Sequence, residues 1–231
     1  MAIKILRSVY VFVFALAVYL GLSLLGWGLN DLESFFADAT RSTYSTTVFL
    51  FALLFGVQAF HSLEGIQDGK GQAGKKVKRQ TIIGGILVGI LFLGLFLIPF
   101  TSRRAIGVFQ PFLPLSWLGV LLSALGYGLI FWSSLALGRQ YSAEVTIQED
   151  HRLITSGPYR LIRHPRYLGI LCVCLGVSFV FHTWIGLAIF PPVLGLVLSR
   201  IHDEEQLMLE EFGDRWTAYR KKSWQLIPYV F

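Results

Sequence analysis

Two stretches of this chain, Val9–Leu29 and Thr81–Phe100, each run for about twenty residues without an Asp, Glu, Lys or Arg. A helix rises about 1.5 Å per residue, so each run has the length needed to cross ~30 Å of hydrocarbon. Composition points the same way. Of the 231 residues 54% are hydrophobic and 15% charged, against roughly 25% charged in soluble domains. The fold class expected is all-α: a polytopic membrane protein of about five or six transmembrane helices, with a C-terminal helical hairpin and an amphipathic tail helix. The first run is too long for a removed signal peptide and lacks its small-residue cleavage pattern, so it reads as a retained span.

Further spans are expected at about Thr46–Leu63 and Leu113–Leu137. Between spans two and three, residues 64–80 are Gly-rich and basic and read as a flexible loop. Residues 138–166 form the longest segment too polar for lipid. Residues 167–200, divided by His182-Thr183 and Pro191-Pro192, are long enough for two short spans forming a hairpin. Six spans is the first expectation; four spans plus a short or re-entrant hairpin is the alternative.

Charge placement orients this map. With the N-terminus inside, residues 1–8, 64–80, 138–166 and 200–231 hold seventeen of the twenty Lys and Arg residues. The outer loops hold only Arg41, Arg103 and Arg104. Cytoplasmic loops carry such an excess, so both termini are expected to be cytoplasmic. The same asymmetry accounts for the net charge of +6 without nucleic acid. Cys172 and Cys174, two apart on a helix, point to different faces. They suit neither a metal pair nor a disulfide and read as small buried apolar residues.

The polar residues then concentrate in one place. In LITSGPYRLIRHPRYLG, residues 153–169, Gly157-Pro158 breaks the chain and Arg160, Arg163, His164 and Arg166 follow within seven residues. From Ile170 to Ile189 there is no Asp, Glu, Lys or Arg. A hairpin starting at this cluster and returning to Arg200 brings Arg163 and His164 near Arg200, Glu204 and Glu205. Ionisable groups where a span meets water point to function. The tail from Arg200 reads as a helix whose Leu209, Phe212, Trp216 and Tyr219 form an apolar strip, best taken as interfacial anchoring. Arg215, Arg220, Lys221 and Lys222 suit anionic head groups. His151 and Arg139 are candidates to line the same pocket. Arg160 and Arg166 read as solvated or lipid-facing, His61 as interfacial and His182 as a turn residue.

GPYRLIRHPRYLG, followed some thirty residues later by RIHDEEQLMLEEFGDRWTAYRKKSWQLIP, resembles the isoprenylcysteine carboxyl methyltransferase family and the related phospholipid methyltransferases. The likeness rests on Gly157, Pro158, Tyr159, Arg163, His164, Pro165, Tyr167 and Gly169. It resumes at Arg200, Glu204, Glu205, Leu207, Phe212, Gly213, Tyr219, Ile227 and Pro228. Trp216 stands where the family has a tyrosine. The resemblance covers roughly 115–231 and divides the chain into N-terminal spans of unassigned role, 1–112, and a methyltransferase-like region, 113–231.

What the resemblance implies is a membrane methyltransferase using S-adenosylmethionine, with no Rossmann domain and no metal. The sequence agrees in having no GxGxxG after a strand. The implied cofactor contacts are Tyr159, Arg163, His164, Tyr167, Glu204 and Glu205. Arg200, with Glu204, is the implied catalytic group. The acceptor is a lipophilic or small molecule: a prenylcysteine carboxylate, a phospholipid amine or similar. An NADPH-dependent reductase of the steroid 5α-reductase type has a similar motif, usually with Asn where Arg166 stands. A transporter would put polar groups mid-span, and spans 1, 3 and 4 have almost none.

Overall fold

A computed structural model of the protein describes residues 1–61, 78–138 and 153–229. Arg139, His151 and most of the 64–80 loop lie outside the described residues; the last three residues of that loop already belong to a helix. The described residues are almost entirely helical, with two isolated β-bridges. The first span is continuous from Ala2 to Trp27: α1 (Ala2–Leu16), a π-turn (Ala17–Gly21) and α2 (Leu22–Trp27). A short α3 (Leu32–Ala37) leads to α4 (Ala39–His61). Then come α5 (Lys78–Arg103), α6 (Leu113–Leu137), α7 (Pro165–Val180), α8 (Trp184–Phe212) and α9 (Asp214–Arg220).

Five of these segments are long and apolar enough to cross a membrane, and α7 is a shorter apolar helix. Only 17% to 33% of the most apolar window of each span is buried inside the protein. The remaining apolar surface, such as Leu50, Leu53 and Leu54 on α4 and Leu118, Leu121 and Leu125 on α6, faces outward. Such an exterior is stable only in lipid. The protein is an integral, multi-pass membrane helical protein.

The expected hairpin is α7 and α8, with differences. The chain reverses at Phe181–Thr183, where His182 takes φ +52° and its Nε2 lies 2.7 Å from Ser116 Oγ. Pro191 and Pro192 do not divide anything; both sit inside α8. No separate tail helix starts at Arg200. α8 runs unbroken through it to Phe212, and Gly213, at φ +50°, then turns the chain into α9. The expected aromatic strip is therefore split over two helices, and Trp216 is buried against the protein.

α6 and α7 meet backbone to backbone. A Cβ added at Gly126 would lie 2.6 Å from the Gly169 carbonyl oxygen, and one at Gly176 2.7 Å from that of Gly119. Small residues permit such contact between membrane helices. At one end of the bundle Arg41 and Arg103 flank the Trp27 ring, with Arg41 4.4 Å from its centroid, and Arg104 covers Phe100. The three arginines assigned to one face thus share one end. The start of α5, the start of α7 and the distal half of α8 meet at the other.

Candidate active site

Gly157, at φ +60°, opens a 3-10 turn (Gly157–Arg160) ahead of α7. Pro165 fills the first turn of α7, where a missing N–H costs nothing, and His164 is the N-cap residue. Beyond α9 the chain returns to this turn. The Arg163 N–H donates to the Trp224 carbonyl at 2.7 Å, the His164 N–H to Gln225 at 3.1 Å, and the Trp224 N–H to Leu161 at 2.9 Å. Backbone bonds to 224–225 thereby fix the two residues that carry the basic cluster.

α8 supplies the opposing wall. Arg200 lies sixteen residues into it, about 24 Å along its axis. α7, with sixteen residues, has the same span, so its first residues stand level with Arg200. The side chains then form one connected cluster. Arg163 Nε donates to Glu205 Oε1 at 2.8 Å, and His164 Nε2 lies 3.2 Å from the same oxygen. His164 Nδ1 lies 3.4 Å from Glu204 Oε2, and the Tyr167 hydroxyl donates to Glu204 Oε1. Arg200 Nε donates to the Tyr167 oxygen at 3.0 Å. Arg220 Nε reaches Glu205 Oε2 at 3.6 Å. His164, Arg200 and Glu205 are buried.

Burial disfavours the charged imidazole of His164, but the hydrogen bonds and charges of Glu204 and Glu205 outweigh it, and its pKa is raised. Burial pushes the Tyr219 hydroxyl up to about 12. The two carboxylates differ in surroundings. The side chain of Glu205 is 9% exposed and faces three cationic groups, whereas that of Glu204 is 25% exposed. Glu204 is the more exposed of the two, although both its oxygens face cluster residues, Tyr167 and His164.

Five of the six residues named for cofactor contact thus gather at one place with Arg200: Arg163, His164, Tyr167, Glu204 and Glu205. Tyr159, the sixth, lies on the 3-10 turn ahead of α7, where its carbonyl accepts from the Tyr219 hydroxyl. Gln80, Asp203 and the 224–225 backbone also belong to the cluster and carry no motif that marks them. Among the described residues no group of His, Cys, Asp or Glu could hold a metal ion.

Beside the cluster, one helix face over, is an apolar cavity of about 430 Å³ between the first span, α5, α6, α7 and α8. Its lining includes Tyr10, Val88, Tyr127, Val173 and Val177 and, as the single charged residue among the described residues, Arg166. From Arg166 to Val177 the wall of α7 measures about 16 Å, close to one leaflet of a ~30 Å core.

A membrane helix bundle with one polar site between a short hairpin and its returning tail is the class that fold and site define. Residues 117–210 match the isoprenylcysteine carboxyl methyltransferase (ICMT) family. The protein-S-isoprenylcysteine O-methyltransferase of Schizosaccharomyces pombe is 36% identical over 83 residues, which cover 36% of this chain and 35% of that protein. A probable enzyme of the same name from Oryza sativa subsp. indica is 29% identical over 118 residues, covering 50% and 62%. These alignments leave a third or more of each relative unspanned. A solved structure of the eukaryotic intramembrane Ras methyltransferase ICMT superposes with a TM-score of 0.51 at 18% identity, covering 95% of this chain and 98% of that one. At that identity the likeness is one of fold. It extends through the N-terminal spans, where the sequence alone showed no resemblance.

Proposed function

We propose that the protein is an integral membrane methyltransferase that uses S-adenosylmethionine and methylates a lipophilic acceptor at the end of the bundle where α7 begins. The observation that carries this reading is the joining of Arg163, His164, Tyr167, Arg200, Glu204 and Glu205 into one hydrogen-bonded cluster. It lies inside the region that matches the methyltransferase family. The relatives' names point to a prenylcysteine carboxylate as the acceptor class.

The residues present fit such a cofactor, whose amino-acid end carries both charges. The partly exposed Glu204 would take the ammonium, while Arg163 and His164, each already tied to Glu205, present the basic side to the carboxylate. Tyr167 would hold Glu204 and Arg200 at a fixed separation. When bound, S-adenosylmethionine supplies a methyl group already activated on a sulfonium. The protein's task is then placement. Arg200 would orient the acceptor's polar group, while the acceptor's chain lies in the apolar cavity and reaches the cluster from the hydrocarbon.

The test is calorimetric titration of detergent-purified protein. S-adenosylhomocysteine should bind and NADPH should not; heat with NADPH alone would overturn the reading. His164→Ala and Glu204→Ala should each weaken that binding by roughly 10-fold to 100-fold, the worth of a charged hydrogen bond. Arg200→Ala should leave affinity near wild type and slow transfer of labelled methyl into a lipid extract by about 10²-fold or more. Unchanged affinity in both of the first two variants would remove the site proposed here.

A further inference from the structure

We propose that Gln80, at the start of α5, is a positioning residue for methyl transfer: it clamps α5 to α8 and holds Arg200 in its working orientation. The proposal rests on the methyltransferase reading and adds to it a residue outside the matched region 117–210.

Three observations converge on Gln80. It is 2% exposed, at the head of a long apolar span. Its amide Nε2 donates to Asp203 Oδ2, and its backbone oxygen accepts from Arg200 Nη1 at 3.0 Å. One helical turn further on, a Cβ at Gly84 would stand 2.5 Å from Arg200 Nη1. The guanidinium therefore lies directly on the bare backbone of α5.

The spacing makes this a two-point clamp. Arg200 and Asp203 are three apart on α8, and Gln80 and Gly84 four apart on α5, so each pair shares a face. The Gln80 side chain grips Asp203, and the Gln80 carbonyl with the Gly84 backbone receives Arg200. From the other side Arg200 Nε bonds the Tyr167 hydroxyl at 3.0 Å.

A free arginine side chain has many rotamers, and bonds on two edges of its planar fork are what fix its plane. Burying an amide in an apolar helix is unfavourable unless it is hydrogen-bonded. The Gln80 amide nitrogen meets that condition through Asp203, whereas its buried Oε1 has no hydrogen-bond partner among the described residues. The residue that grips Asp203 also presents its backbone oxygen to Arg200, so the grip and the aim of Arg200 are set together. The angle at which Arg200 faces the acceptor depends on α5.

The test uses full-length protein in detergent and the variants Gln80→Leu, Asp203→Leu, their double and Asp203→Asn. Methyl transfer, S-adenosylhomocysteine affinity and melting temperature are measured for each. Gln80→Leu should lower kcat by roughly tenfold to a hundredfold, as small misplacements do, with affinity within about twofold. The double variant should be no slower than the worse single, because the pair acts as one unit. Asp203→Asn, which keeps an acceptor, should retain more of kcat than Asp203→Leu. Undiminished kcat in Gln80→Leu, or losses that multiply in the double, would overturn the proposal while leaving the methyltransferase reading intact. A wild type that neither binds S-adenosylhomocysteine nor transfers methyl would overturn both.

Discussion

His164 sits between two carboxylates, with 7% of its surface exposed, and its protonation links the site to pH. Its pKa is raised in the folded protein, because Glu204 and Glu205 more than offset the burial that alone would lower it. A raised pKa means the charged form is favoured by folding. The stabilisation is fully present below the unfolded imidazole value of about 6.5 and is lost as pH rises through the folded value. The melting temperature of wild type relative to His164→Gln should therefore be highest at acid to neutral pH and shrink as pH climbs. A difference that stays constant from about pH 6 to 9 would show that His164 is not the charged partner. Of this cluster, Arg163, His164, Arg200, Glu204 and Glu205 were legible because motif residues flank a hairpin. Gln80 and Asp203 were not, because an isolated amide at the mouth of a span is ordinary in composition. Only the packing of α5 on α8 gives it a partner.

The element that matters most is α7. At sixteen residues it is about 24 Å long, shorter than ~30 Å of hydrocarbon, so it cannot by itself reach both faces of a membrane. Its position is set by the close backbone contact with α6 at Gly119, Gly126, Gly169 and Gly176. Gly126→Val should push the helices apart and destabilise by about 1–3 kcal/mol, a lowering of roughly 2–4 °C in melting temperature per kcal/mol. A variant that melts like wild type would show that the contact yields easily. Most helix positions were readable from the apolar runs, but α8 was not. Pro191-Pro192 and the charged residues after Arg200 both signal a boundary in sequence. Packing of Val193, Val197 and Ile201, each nearly fully buried, carries the helix through both. Arg200 therefore projects from the middle of a rigid rod, which gives it the fixed backbone that a site on a fraying helix start would lack.

At the scale of the molecule, the charged ends are unequal. Arg41, Arg103 and Arg104 share one end, and the cluster of Arg163, Arg200 and Arg220 stands at the other. From the excess of Lys and Arg in the sequence segments flanking the second end, we propose that this end, with both termini, is cytoplasmic. Tags at residues 1 and 231 in intact cells should both be shielded from a membrane-impermeant label and react only after permeabilisation; a tag labelled in intact cells would reverse the assignment. The first four spans were legible from the apolar runs; their total was not, since the expected six become five long spans and the shorter α7. The likeness of fold that extends through the first hundred residues was not legible, since lipid-facing helices tolerate almost any apolar sequence.

The backbone bonds from Arg163 and His164 to Trp224 and Gln225 join segments about sixty residues apart. At a synthesis rate of about 5–20 residues per second, the later segment leaves the ribosome some 3–12 seconds after the earlier one. The helices can enter the bilayer during that interval, but the turn that carries the basic pair stays without its backbone partners. In a nascent chain, membrane insertion and assembly of the site are therefore separate events in time, and the second waits on the tail.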